Sequence, residues 1–141
     1  MATFISKSPE ETYQLGKRWA SELSEGWVVG LEGDLGSGKT QLVKGLADGL
    51  AIEERVTSPT FTIVNEYQCE TTMLFHLDLY RLETSTEIQS AGLEPYLDPD
   101  GISVIEWIDR WPDATPTKYR KVQFRSLDET TREISYEDSV S

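Results

Sequence analysis

Gly33-Asp34-Leu35-Gly36-Ser37-Gly38-Lys39-Thr40 is the stretch on which the reading of this chain turns. It fits the pattern G-x-x-x-x-G-K-[ST] at every fixed position, the signature of a loop that cradles phosphates. Its surroundings fit as well. Trp27 to Leu31 is an apolar run suited to a buried strand, and Gln41 to Leu50 carries apolar residues at helical spacing. Strand, glycine loop and helix together predict a nucleoside triphosphate site.

The residue types follow from the chemistry. Glycines at 33, 36 and 38 let the backbone adopt positive φ and come close to the phosphates. Successive N–H groups and the start of the next helix then point at the anion. Lys39 supplies a positive charge to the β and γ phosphates, and the Thr40 hydroxyl is placed to ligate magnesium. A glycine-rich turn that binds nothing is the bland alternative, and the flanking elements weigh against it.

The chain has 141 residues, the size of one domain. Its formal net charge is −12 and its pI about 4.4, so long-range electrostatics repel nucleic acid and anionic membranes. A role involving RNA is expected to be indirect. The single cysteine, Cys69, excludes an internal disulfide and a multi-cysteine metal site. No apolar stretch approaches a membrane span, and the N-terminus has no signal-peptide pattern. A soluble, cytoplasmic protein is expected.

Thr3 to Ile5 reads as a short edge strand. Ser8-Pro9-Glu10-Glu11 supplies an N-cap, a proline at the first helical position and a capping-box glutamate. The helix from Pro9 has Tyr13, Leu15, Trp19, Ala20 and Leu23 on its apolar side, and Gly26 is expected to end it. Taken alone, Ser8 and Thr12 cap and decorate this helix. Beyond the loop helix, Thr57-Ser58-Pro59-Thr60-Phe61-Thr62 clusters hydroxyls around one proline. Such a segment is either a γ-phosphate-sensing switch or a plain loop.

Ile63 to Gln68 and Thr72 to Leu77 read as a β-hairpin. It leads into His76-Leu77-Asp78-Leu79-Tyr80-Arg81, in which alternation puts His76, Asp78 and Tyr80 on one face and turns Leu77 and Leu79 to the core. Asp78 is either a strand-end carboxylate paired with Arg81, or a group that supports magnesium from behind its ligands or acts as the base that orients an attacking water. His76, the only histidine, reads as a hydrogen-bonded structural residue. Thr84-Ser85-Thr86-Glu87 opens a short helix that Gly92 ends. Ile102-Ser103-Val104-Ile105-Glu106 is a nearly all-apolar strand that delivers an acid, as a magnesium-binding strand beside such a loop does. Asp109 is the alternative acid, but the apolar run stops at Ile105. Trp107 and Trp111 are expected to pack. Lys121 to Leu127 and Arg132 to Tyr136 form a C-terminal hairpin, with Glu137 to Ser141 a frayed acidic tail.

Four blocks occur together in order: the glycine loop, Thr57-Ser58-Pro59-Thr60-Phe61, His76-Leu77-Asp78-Leu79-Tyr80-Arg81 and Val104-Ile105-Glu106-Trp107. From about Ser8 to about Trp107 the chain resembles the TsaE (YjeE-like) family of small bacterial ATPases. The resemblance implies an ATPase that serves formation of threonylcarbamoyladenosine next to the tRNA anticodon. Its partners would be the TsaD and TsaB proteins, with tRNA met only through them and no membrane involved. It implies ATP/ADP and Mg2+ as ligands, and hydrolysis that is weak alone and partner-dependent. Asp78, Lys39 and Glu106 would act in catalysis, and Thr40 and Glu106 would hold the metal. Ser8, Thr12, Gly33, Gly36, Ser37, Gly38, Lys39, Thr40, Gln41, Thr57 and Thr60 would bind nucleotide, with Thr57 to Phe61 as the nucleotide-sensitive loop.

The expected fold is α/β: a P-loop NTPase-like three-layer domain with a mixed, partly parallel central sheet and β-hairpins. Two other functions use the same residues, a small-molecule kinase and a nucleotide-gated binding module with incidental hydrolysis. The kinase calls for an arginine-rich lid, whereas the arginines after Arg81 are scattered at 110, 120, 125 and 132.

Overall fold

The computed structural model describes residues 2–34, 38–57, 64–69 and 71–141. In chain order these form β1 (Ala2–Ser6), α1 (Pro9–Trp19), β2 (Trp27–Glu32), α2 (Lys39–Gly49), β3 (Val64–Gln68) and β4 (Met73–Asp78). Then come α3 (Ser85–Ala91), a 3₁₀ turn at Glu94–Leu97, β5 (Ile102–Glu106), a 3₁₀ turn at Ile108–Arg110, β6 (Lys118–Ser126) and β7 (Arg132–Val140). All the strands join one 7-stranded sheet in the order β1-β7-β6-β2-β5-β4-β3. The neighbours β6, β2, β5 and β4 run parallel, while β7, β1 and β3 add antiparallel edges.

β2 lies between two parallel neighbours and is covered on both faces, which is why its sequence is an unbroken apolar run instead of an alternation. Val29 and Leu31 face α1 and α2, packing with Leu15, Trp19, Leu42, Val43 and Leu46. Val28 faces the other way, into a second core with Leu77, Leu79, Ile88, Leu93, Ile105 and Ile108. The sheet is thus the middle of three layers, as the expected fold class required. Leu77 and Leu79 turn inward, and Leu74 on the same strand fills the opposite core.

The helix starts follow their caps. Glu11 N donates to Ser8 Oγ at 3.1 Å, and Glu87 N donates to Thr84 Oγ1 at 3.1 Å. The two capping glutamates reach one residue past the cap, to Lys7 N and Glu83 N.

Two ends differ from expectation. α1 stops at Trp19 instead of continuing toward Gly26: Ser21 Oγ bonds back to the Arg18 carbonyl at 2.8 Å while the chain turns, and Leu23 still reaches the core from outside the helix. The segment Glu137 to Ser141 does not fray. β7 pairs through Val140 opposite Lys118, and β6 starts before Lys121. The cause is Asp138, which receives two bonds from Arg120 at 2.7 and 2.9 Å. Arg120 is buried, also reaches Glu22 at 3.0 Å, and lies over the rings of Trp19 and Tyr136. An acidic tail in the sequence therefore supplies an exposed carboxylate that pairs with a buried arginine.

Candidate functional site

The glycine loop leaves the carboxyl end of β2, between two parallel strands, where ligands gather in open α/β sheets. Gly33 has φ 147° and Gly38 has φ 101°, conformations that a side chain resists. Gly38 is the N-cap of α2 and brings no capping side chain, and the first turn holds no acid. The positive end of that helix thus faces the loop uncompensated. Leu35, Gly36 and Ser37 lie outside the described residues.

Lys39 is buried at the first position of α2. Its Nζ donates to the Gly33 carbonyl at 2.5 Å and stands 3.5 Å from the centroid of the Trp107 ring. Burial lowers its pKa, opposed by the charges of Glu106, Asp109, Asp78 and Asp34. Thr40 and Gln41 follow in the same turn of helix, both partly covered.

Two acids arrive from neighbouring strands. β4 and β5 are parallel with Asp78 opposite Glu106, so both carboxylates leave the sheet on one face at one level. β5 ends at Glu106, and Asp109 lies beyond it, exposed, in the 3₁₀ turn. Asp78 has its pKa raised, first by burial and next among the raising causes by Glu106; the Tyr80 N–H, His76 and Lys39 pull the other way. It accepts from Tyr80 N at 3.0 Å instead of pairing with Arg81. Glu106 is buried and meets His76 Nε2 at 2.5 Å. The lone histidine is hydrogen-bonded, as expected, but its partner is this acid.

Trp107 does more than pack. It has φ 62°, a left-handed conformation that costs a non-glycine residue about 1 kcal/mol or more and tends to mark functional sites. Its N–H bonds to the Leu31 carbonyl at 2.9 Å, which swings the ring over Lys39, and the Tyr80 ring packs against it, tilted by 49° with centroids 5.0 Å apart. The strand ends at Asp78, so Tyr80 is placed by a turn and not by strand alternation.

The N-terminal candidates separate. Thr12 is buried, shares a 2.7 Å hydrogen bond with Ser6, and its methyl faces Gly38: a Cβ there would lie 3.9 Å from both Thr12 Cγ2 and Phe124 Cε2. Ser8 spends its hydroxyl on the α1 cap. Thr57 is exposed and fastened to β3, its carbonyl accepting from Asn65 Nδ2 at 3.1 Å. Thr60 and the rest of the expected switch, residues 58–63, lie outside the described residues.

Sequence reasoning missed the β6 side. A cleft of about 360 Å³ is lined by Gly33, Asp34, Trp107, Gln123, Phe124 and Arg125, among others. Only the parallel pairing of β6 with β2 brings those residues to the loop, and nothing in their local pattern announces it.

A mixed sheet with a parallel centre covered on both faces, and a glycine loop and its lysine at the carboxyl end of the central strand, places the protein in the P-loop class of nucleotide-binding α/β domains. A family model described as "Threonylcarbamoyl adenosine biosynthesis protein TsaE" matches residues 6–134. The "tRNA threonylcarbamoyladenosine biosynthesis protein TsaE" of Nostoc sp. is 46% identical over 137 residues, covering 94% of this chain and 83% of that protein. Its namesake in Bacillus subtilis is 38% identical over 129 residues, covering 92% and 80%. The crystal structure of Bacillus subtilis YdiB superposes with a TM-score of 0.79 at 31% identity, covering 99% of this chain and 86% of that one. The chain belongs to the TsaE family.

Proposed function

We propose that this protein binds and hydrolyses ATP with magnesium and serves tRNA threonylcarbamoyladenosine biosynthesis by acting on a TsaD–TsaB pair through a nucleotide-dependent switch. The single observation that carries the ATPase reading is the pairing of Asp78 with Glu106 on adjacent parallel strands, beside the lysine of the glycine loop. The pathway and the partners rest on the family.

The residues fit magnesium. Among the described residues no group of three or more His, Cys, Asp or Glu is disposed to hold a metal by itself. Magnesium does not ask for one: it keeps several waters and takes one or two protein oxygens together with phosphates. Glu106 and the Thr40 hydroxyl would hold it, and when bound it neutralises charge on the β and γ phosphate oxygens.

Lys39 leaves the Gly33 carbonyl and the Trp107 ring to meet those same oxygens, a move of one flexible side chain. The loop amides and the first turn of α2 bind the phosphates. Asp78 orients a water whose oxygen attacks the γ-phosphorus while the bond to the β–γ bridging oxygen breaks. Gly36, Ser37, Gln41, Thr12 and Ser8 complete the nucleotide site in this reading. Thr57 to Phe61 changes conformation with the γ-phosphate and resets the partner complex. The net charge of −12 suits a protein that docks on protein and leaves RNA to its partners.

The test is ATP hydrolysis with and without the TsaD–TsaB pair, for wild type, Lys39→Ala and Asp78→Ala, together with threonylcarbamoyladenosine formed per complex. Partner-stimulated release of phosphate into water that both substitutions abolish is expected. Phosphate carried onto an organic acceptor, or repeated modification cycles in a variant that binds but cannot hydrolyse ATP, would overturn the hydrolytic reading.

A further inference from the structure

We infer that His76 is a positioning residue that ties one oxygen of Glu106 and presents the other toward the magnesium site; this rests on the magnesium reading above. His76 lies on β4 two residues before Asp78, with its ring fully buried. Its register partner on β5 is Val104, so it reaches diagonally along the same face to Glu106, where Nε2 and Oε2 are 2.5 Å apart. A carboxylate that ligates magnesium only accepts hydrogen bonds, so in this reading the hydrogen lies on Nε2 and Oε2 is committed to it.

The other ring nitrogen decides between packing and positioning. His76 Nδ1 is buried with no hydrogen-bond partner among the described residues. Burying a polar atom unpaired costs free energy, so packing alone does not account for an imidazole here, and the bond made by its other nitrogen does. The one bond the ring makes among the described residues goes to an acid of the site. That is the arrangement by which outlying groups orient metal-binding carboxylates and fix which oxygen is offered.

A second consequence follows for Lys39. The charge of Glu106 acts on that ammonium, yet Lys39 donates to Gly33 and not to Glu106. With Oε2 held by His76, the carboxylate is kept from collapsing onto the lysine, and both groups stay available to a magnesium–phosphate ligand.

The experiment titrates Mg2+ against binding of a non-hydrolysable ATP analogue by calorimetry, using the whole chain as wild type, His76→Gln and His76→Leu, with a thermal melt of each. The glutamine amide can place a donor near the position of Nε2, whereas leucine fills the volume without one. Expected for His76→Leu is an unchanged affinity in EDTA and a Mg2+ requirement raised by about 10- to 100-fold. Expected for His76→Gln is a Mg2+ requirement within a few-fold of wild type. If the leucine chain does not fold, His76→Asn, whose shorter amide cannot reach Glu106, takes its place with the same expectation. A Mg2+ requirement unchanged in His76→Leu, or affinity lost equally with and without Mg2+, would overturn the positioning role. A wild type indifferent to Mg2+ would instead overturn the magnesium reading itself.

Discussion

The ammonium of Lys39 lies 3.5 Å from the centroid of the Trp107 ring, held there by the Gly33 carbonyl on its other side. Burial lowers the lysine's pKa from its ordinary value of 10.5, so the cation is carried into the site at a cost and only partly repaid by an aromatic face, a carbonyl and nearby acids. Such a group is kept for a ligand rather than for stability.

Lys39→Met tests that statement. The variant removes a desolvated charge and keeps an apolar stem of similar length, so its Tm is expected to equal or exceed that of wild type at neutral pH. Nucleotide affinity is expected to fall by about 10- to 100-fold, the value of a charged hydrogen bond to phosphate. The sign of the pH dependence is fixed as well. A folded pKa below the unfolded one means that the penalty is fully present below the folded value and is relieved as pH climbs toward 10.5. Wild type should therefore gain on Lys39→Met across the alkaline range, read from parallel urea melts; a variant with a clearly lower Tm would show the lysine to be structural.

Asp78→Asn separates stability from turnover. The folded pKa of Asp78 lies above its ordinary value of 3.8, so its charge penalises the fold fully above the folded pKa and not at all below the unfolded one. The amide keeps the acceptor for Tyr80 N–H and removes the charge. At pH 7 the variant is expected to be more stable than wild type, by an amount that solvent screening of the half-buried carboxylate keeps small. That advantage should vanish as pH falls through the acidic range toward 3.8. Turnover should drop while nucleotide affinity is held. Denaturation at a series of pH values, beside steady-state hydrolysis, reads both; a stability difference that grows toward acid pH would contradict the sign.

Gly45→Ala probes the packing that carries the site. α1 and α2 cross so closely that a Cβ on Gly45 would collide with the Tyr13 carbonyl, and one on Gly16 with the Leu42 carbonyl. Both obstacles are backbone, which cannot rotate away. Gain of helix propensity by alanine is worth about 1 kcal/mol, and overpacking costs about 1–3 kcal/mol or more. A net loss of stability in urea is expected, together with weaker nucleotide binding, because Lys39 is the first residue of the helix displaced. An alanine variant as stable as wild type would show that the helices can part without consequence.

The sequence by itself determined the loop and the elements on either side of it, because those are local matters. A strand buried on both faces has to be apolar throughout, the turn from strand to helix needs glycines at positive φ, and Ser8 and Thr84 announce the two capped helix starts. It also singled out Asp78 and Glu106 as acids delivered by strands, the first by alternation and the second because it closes an apolar run. What it could not determine was which strands are neighbours. That β5 lies between β2 and β4, with Asp78 level with Glu106, that β6 brings Phe124 beside Gly38, and that Asp138 belongs to Arg120 and is no loose tail, are all pairings between residues far apart in the chain. The same holds for the bond from His76 to Glu106 and for the ring of Trp107 over Lys39. Propensity and periodicity act over a few residues, whereas these contacts are set by sheet order and register, which the chain decides only when both cores close at once.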